Sequence, residues 1–273
     1  MRRIVLAAAA LMMLGNVASA ADLAPGTYTK APSPAVSPVY NWTGFYAGIN
    51  GGWGENKTTG DSYCLNPAGV LNGVGCGIFP NGNVSPSGGL FGGQAGYNFQ
   101  SGHMVYGFEA DIQWSDIKGS SSAFTHFPQV GLAGLFTAPG TFAMSQSLDW
   151  FGTARGRVGY AWDRVLLYAT GGLIYGRENV SSAVNFTSGV SYLSSDVSVR
   201  AGWTVGGGLE YAFTNNWSGR VEGLYYDMGS ETISSGSSPA VTGFTRAGVF
   251  GYQGAIVRGA IDYRFDGPIV ARY

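Results

Sequence analysis

The sequence predicts an all-β protein, an eight-stranded antiparallel transmembrane β-barrel with short periplasmic turns and four long external loops. Three observations predict it. The first is composition: of 273 residues 45 are glycine, 14% are aromatic and only 11% are charged. A soluble domain carries about 25% charged residues and about 7% glycine, whereas a membrane barrel fits this profile because only alternate residues of each strand meet lipid. The second is a period-2 pattern that recurs in segments of 11 to 15 residues, longer than the roughly 5–6 of an average globular strand and long enough to cross a bilayer. The third is a strict alternation of long and short connections between those segments.

Taken from the N-terminus, Arg2 and Arg3 precede an apolar run from Ile4 to Leu14, and Ala18-Ser19-Ala20 supplies a small-residue cleavage site. Residues 1–20 therefore read as a cleaved signal peptide, too short to span a membrane as a helix. Residues 21–43 contain Pro25, Pro32, Pro34 and Pro38 and read as an extended periplasmic linker. The barrel is placed at 44–265 and a C-terminal tail at 266–273. No later segment reads as a spanning helix, since the longest uncharged stretch, Gly119 to Leu148, is broken by Pro128, Gly131, Gly134 and Pro139.

The eight strands are expected at 44–54, 89–99, 104–115, 148–160, 165–178, 199–213, 217–228 and 254–265. Tight turns fall at Gln100–His103, Ala161–Arg164 and Thr214–Asn216, and long loops at 55–88, 116–147, 179–198 and 229–253. Outer-membrane barrels place short turns in the periplasm and long loops outside. Within the strands the interior charges share one parity and hence one face: Glu109 and Asp111; Asp149, Arg155 and Arg157; Arg200 and Glu210; Arg220 and Glu222; Arg258, Asp262 and Arg264. Arg177, Glu178 and Asp227 are exceptions at strand ends. An arginine facing lipid at mid-bilayer costs about 2–4 kcal/mol, so the charged face is the lumen. Aromatic girdles are expected at both ends, with Trp42, Tyr160, Trp162, Phe213, Trp217 and Phe265 at the periplasmic side and Trp53 and Trp114 toward the outside.

Eight strands leave an interior that side chains can fill. Counting from the periplasmic turns puts Glu109 level with Arg155, Glu210 with Arg220, Arg220 with Asp262, and Glu222 near Arg258. The expectation is a charge-paired plug in the periplasmic half of the lumen, made of Glu109, Asp111, Arg155, Arg157, Glu210, Arg220, Glu222, Arg258 and Asp262 and joined by bidentate contacts. Twelve arginines against three lysines suit such enclosed pairs. The alternative is a narrow porin-like path lined by the same groups.

Net charge −1 gives no electrostatic footprint for nucleic acid. With only His103 and His126 in the chain, and those in a turn and a loop, no Ser–His–acid arrangement assembles; an enzyme is not expected, nor a metal or cofactor site. Cys64 and Cys76 share the first long loop of an exported chain, which predicts a disulfide. The second long loop holds Ala123 to Phe142, uncharged and rich in phenylalanine. It packs on itself or extends the flanking strands above the membrane, or else forms a ligand-binding patch of Phe124, Phe127, Leu132, Leu135, Phe136 and Phe142 with His126 beside it.

The run NWTGFYAGINGGWG, Asn41 to Gly54, resembles the opening of the small outer-membrane immunogenic β-barrel proteins of alphaproteobacteria, the RopB-like family. Val105–Gly119, Leu148–Gly176 and Gly202–Gly229 are similar to its later segments. The resemblance implies an OmpA-like barrel in a Gram-negative outer membrane, inserted by the barrel-assembly machinery and surrounded by outer-membrane lipid. It implies surface-antigen and envelope-stabilising roles, a monomer, and loops able to meet a surface ligand or a host or envelope protein. Some members are linked to porin-like or haem-binding behaviour, so haem at a loop stays open. The sequence departs from such barrels after Phe265, where Gly267-Pro268 follows the aromatic that usually ends the chain.

Overall fold

A computed structural model of the chain describes residues 40–57, 60–65, 84–131, 134–238 and 245–265. The expected signal peptide, the linker up to residue 39 and the tail 266–273 lie outside the described residues. Nine antiparallel strands are described: β1 (Gly44–Lys57), β2 (Gly60–Leu65), β3 (Ser87–Ser101), β4 (Met104–Gly131), β5 (Gly134–Trp162), β6 (Val165–Phe186), β7 (Ser191–Ala212), β8 (Trp217–Ser238) and β9 (Thr245–Arg264). Strand β1 pairs with β3 on one edge and with β9 on the other, which closes the sheet. Strand β2 takes over the edge of β9 where β1 leaves it, Lys57 facing Gln253 and Gly60 facing Phe250. The two share one stave, so the ring has eight.

The short turns fall where expected. Ser101 pairs with Met104 and Trp162 with Val165, while the Phe213 amide donates to the Trp217 carbonyl at 3.0 Å. Gly102 (φ 61°) and Asp163 (φ 52°) take the left-handed conformation these turns require, one through lack of a side chain and the other through a short polar one.

At the opposite end the strands run far past their expected limits. Strands β4 and β5 stay paired up to Gly131 and Gly134, so most of the expected second loop is a tall hairpin. Strands β6 and β7 likewise continue to Phe186 and Ser191, and β8 and β9 to Ser238 and Thr245. Bulges interrupt the ladders at one height, between Trp114 and Ile117, Leu148 and Trp150, and Asp227 and Ser230. The middle one turns Asp149 outward, where it accepts from Asn179 at 2.7 Å; it is not an interior charge. Glu178, expected as a strand-end exception, is an interior residue with 1% exposure.

Below the bulges the outer face is hydrocarbon, with Ile49, Phe108, Leu173, Val205, Leu209, Val221 and Ile261 exposed. Aromatic pairs bound this belt: Phe91–Trp114, Trp150–Tyr175 and Trp203–Tyr225 on the long-loop side, and Phe45–Phe265, Trp217–Tyr263 and Tyr160–Trp162 on the short-turn side. Trp42 is not part of the girdle. It is buried at 1% exposure with Tyr40 beneath the barrel, so the segment expected as linker ends in a docked stretch from residue 40 onward.

Candidate functional site

The site grows out of one face of alternating strands. On β4, β5, β7, β8 and β9 every second residue points inward, which delivers Glu109, Asp111, Arg155, Arg157, Glu210, Arg220, Glu222, Arg258 and Asp262 into one buried layer. Arg155 is its hub. Its Nη2 lies 2.5 Å from Glu109 and 3.1 Å from Asp111, its Nη1 lies 2.7 Å from Glu222, and its Nε donates to Thr153 at 2.9 Å. Arg258 reaches back from β9 to Asp111 at 2.8 Å and Glu222 at 2.9 Å. Arg220 joins Glu109 to Asp262, the latter at 3.3 Å. These contacts tie β4 and β5 to β8 and β9, staves on opposite sides of the ring.

Two expectations about the layer need correcting. Glu210 and Arg220 face each other in register, yet Glu210 pairs past β6 with Arg157 of β5 at 2.7 Å, because inward side chains of a narrow barrel reach second-neighbour strands as easily as adjacent ones. The contacts are also bridging rather than bidentate. Arg155 spreads its nitrogens over three carboxylates, and the Nε and Nη2 of Arg258 converge on a single oxygen of Glu222. Glu109 pairs with Arg155 and Glu222 with Arg258, as counting from the turns predicts.

Neutral groups that the charge pattern did not single out complete the carboxylates. Tyr46 donates to Glu109 at 2.7 Å, Tyr168 to Glu222 at 2.9 Å, Ser218 to Glu210 at 2.7 Å and Gln94 to Asp262 at 2.7 Å. Each shares the inward parity of its strand, the signal by which it could have been found. The Tyr168 hydroxyl lies across Gly208, where a Cβ would stand 2.6 Å away; glycine is what lets a tyrosine lie flat over the neighbouring strand. Burying five carboxylates is tolerable because each meets at least one guanidinium and one neutral donor; a buried charge lacking such partners costs several kcal/mol.

Apolar packing closes the lumen on both sides of this layer. At the short-turn end, Trp42 donates through its amide to Gln100 at 2.7 Å and through Nε1 to the Asp163 carbonyl at 3.0 Å, while the Tyr40 amide donates to the Asp163 carboxylate at 2.9 Å. The Arg264 guanidinium sits 4.4 Å from the Tyr40 ring. Asp163 lies in a turn and Gln100 among the last residues of β3, where no periodicity marks them. Above the layer, Leu90, Ile117, Leu148, Phe151, Ile174, Tyr226 and Ile256 form a packed core that continues beyond the bulges to Met144, Val184, Tyr192 and Phe250.

The remaining expected residues are not brought together. Phe124 is exposed at 63% and lies near His126, also exposed, at 6.2 Å between rings. Phe142 points into the barrel at 4% exposure, 5.6 Å from the Arg246 guanidinium, so it cannot share a surface patch with Phe124. Leu132 and the side chains of Phe127, Leu135 and Phe136 lie outside the described residues, and so does Cys76; Cys64 falls in β2.

Comparison with known proteins agrees with this architecture. The family model described as the outer membrane protein beta-barrel domain matches residues 6–249. The chain is 37% identical over 238 residues to the 31 kDa outer-membrane immunogenic protein of Brucella melitensis, covering 85% of this chain and 90% of that protein. It is 30% identical over 232 residues to the 25 kDa outer-membrane immunogenic protein of Brucella abortus, with coverage of 85% and 86%. Among solved structures, the outer membrane protein OprG from Pseudomonas aeruginosa aligns with a TM-score of 0.48 and 12% identity over 84% of this chain and 99% of that one. The chain belongs to the outer-membrane β-barrel family and is a Gram-negative outer-membrane protein, with its short turns in the periplasm and its long hairpins outside.

Proposed function

We propose that this barrel is a closed structural and surface-interaction protein, which displays its external hairpins on a wall that does not conduct solutes. The observation that carries the reading is the cross-lumen bridging by Arg155 and Arg258, which connects β5 to β8 and β9 to β4 through shared carboxylates. A pore of this strand number would need that space for water. The floor of Tyr40 and Trp42 closes the lumen a second time. The display role rests on the β4–β5 hairpin, which rises 17 residues past Trp114 to Gly131, roughly 55 Å of strand, and presents Phe124 to solvent. The relatives' names describe them as immunogenic, which is consistent with exposed hairpins.

The test is single-channel recording of the refolded chain in a planar bilayer, with assembly verified by a heat-dependent gel shift. Silence is expected. Steady conductance of the assembled barrel would overturn the closed-lumen reading and put the narrow channel in its place.

A further inference from the structure

One seam of the wall is open. Strands β7 and β8 pair from Trp203–Asp227 down to Ala212–Ser218, and again at Ser191–Ser238 and Tyr192–Ser237, but no pairing joins residues 193–202 to the facing stretch of β8. Over this stretch β7 stays fully paired with β6, and β8 pairs with β9 from Ser230 to Gly236. The inward residues Ser194, Asp196, Ser198 and Arg200 are only half-buried, whereas those facing them on β6 (Gly176, Glu178, Val180 and Ser182) are buried. The seam begins just above the ring containing Trp203 and Tyr225, and so opens toward the external medium rather than lipid.

Behind it lies a polar cluster that the charge layer does not use. Glu178 has 1% exposure, lies 3.5 Å from the Arg200 Nε, and accepts no hydrogen bond at either oxygen. The hydroxyl of Tyr226, fully buried, also has no hydrogen-bond partner among the described residues. Arg200 places its guanidinium 4.5 Å from the Tyr252 ring and pairs across the seam with Glu231. Glu178 and Glu231 both lie on the one guanidinium of Arg200, and Asp196 acts on the Tyr252 ring beside them, so acidic groups outnumber basic ones in a cluster lined by tyrosine. Carboxylate with aromatic faces is the chemistry that holds organic cations, and Arg200 shows that a planar guanidinium fits it. Among the described residues no acidic group has the arrangement of a metal site.

We propose that the β7–β8 seam is the mouth of a binding site for a small organic cation, a guanidinium or alkylammonium, held by Glu178 and Glu231 beside Arg200 against Tyr226 and Tyr252. The groups facing Glu178 are Arg200 from β7, Tyr226 from β8, Tyr252 from β9 and the apolar Leu148 from β5, with Glu231 on the far side of Arg200 and Asp196 near Tyr252. Burial pushes the Glu178 carboxyl up to about 8, against the opposing pull of Arg200. A bound cation favours its ionised form, so affinity rises with pH up to that value and then levels.

Agmatine, which carries one guanidinium and one ammonium, is a suitable probe, and equilibrium dialysis against the refolded mature chain in detergent measures its binding. The wild type and Asp116→Asn, a change at an exposed rim carboxylate, are expected to bind alike. Glu178→Gln and Glu231→Gln are expected to bind about tenfold more weakly or worse, a loss of about 1.4 kcal/mol, and the Glu178→Gln variant is expected to lose the rise with pH. Absence of saturable binding to the wild type overturns the proposal. So does unchanged affinity in both carboxylate variants, or displacement by magnesium at matched ionic strength, which would mark a screened acidic surface. Should Glu178→Gln fail to assemble, Glu231→Gln decides, since that side chain is 38% exposed and its loss leaves the core intact.

Discussion

Below the ring that holds Trp114, Trp150 and Trp203, the strands turn charge inward and hydrocarbon outward; above it β4, β5 and β6 largely do the reverse, Glu178 apart, while β7 keeps Asp196 and Arg200 inward and Leu193, Val197 and Val199 outward. In the lower half Glu109 and Arg155 face the lumen while Phe108 and Val221 face out. In the upper half Ile117, Met144, Leu148 and Val184 face in, and Ser120, Ser145, Ser181 and Ser195 face out. The wall is continuous, so the inversion follows its surroundings. Hydrocarbon outside forces apolar residues outward and leaves the interior free to be ionic, whereas water outside returns the wall to the ordinary arrangement of an apolar core behind a polar face. The bulges at Ile117, Asp149 and Ser230 sit at this boundary and re-aim side chains where the change occurs.

The largest effect should come from breaking the ionic interior. Arg155→Ala strips one guanidinium from Glu109, Asp111 and Glu222 together, and is expected to cost about 3–5 kcal/mol, since it leaves buried carboxylates under-compensated. Denaturant unfolding in lipid vesicles measures it, and a loss under about 1 kcal/mol would mean that water already shares the layer. Next comes the outer face, where one substitution can be made on either side of the boundary. Val221→Arg, midway between Trp217 and Tyr225 on β8, is expected to cost about 2–4 kcal/mol. Ser181→Arg, outward on β6 above the ring, should change stability by no more than about 0.5 kcal/mol. Equal costs would show that lipid reaches higher up the wall than the aromatic rings indicate.

The smallest effect concerns the upper interior. Because the Glu178 carboxyl is held near 8 when folded and titrates near 4.5 in the open chain, the native state keeps a proton that the unfolded state releases between those values. Its contribution to stability is therefore full below about 4.5 and declines as pH rises to about 8. Glu178→Gln should flatten that part of the profile, read as the pH dependence of the heat-dependent gel shift in wild type and variant. An unchanged slope would mean that Glu178 is solvated through the seam.

How far the sequence reaches follows from what a side chain's surroundings must be. The signal for each strand is alternation against hydrocarbon, so the expected segments end near Ser115, Leu148, Glu178 and Met228, where the lipid belt ends, although the strands continue. Past that height the alternation persists but inverts on β4, β5 and β6, and a pattern tuned to apolar residues facing out reads it as loop. Parity fixes which charges face inward, because it depends only on position along one strand; it fails at Asp149, where a bulge adds a residue that parity cannot see.

Nothing along a single strand says which arginine meets which carboxylate. Glu210 leaves its register neighbour for Arg157, reaching past β6 to β5, because the lumen is narrow enough for inward side chains of non-adjacent strands to meet. Likewise Trp42 becomes a floor rather than a girdle residue, since Asp163 in a turn and Gln100 at the end of β3 reach it from positions distant in sequence. The sequence by itself determined the barrel and the charges of its lower inner layer, both consequences of the contrast between lipid and water acting residue by residue. The tertiary structure alone decided the pairing across the lumen, the docked floor and the open seam, because these depend on closure of the ring, which brings together side chains that no local pattern connects.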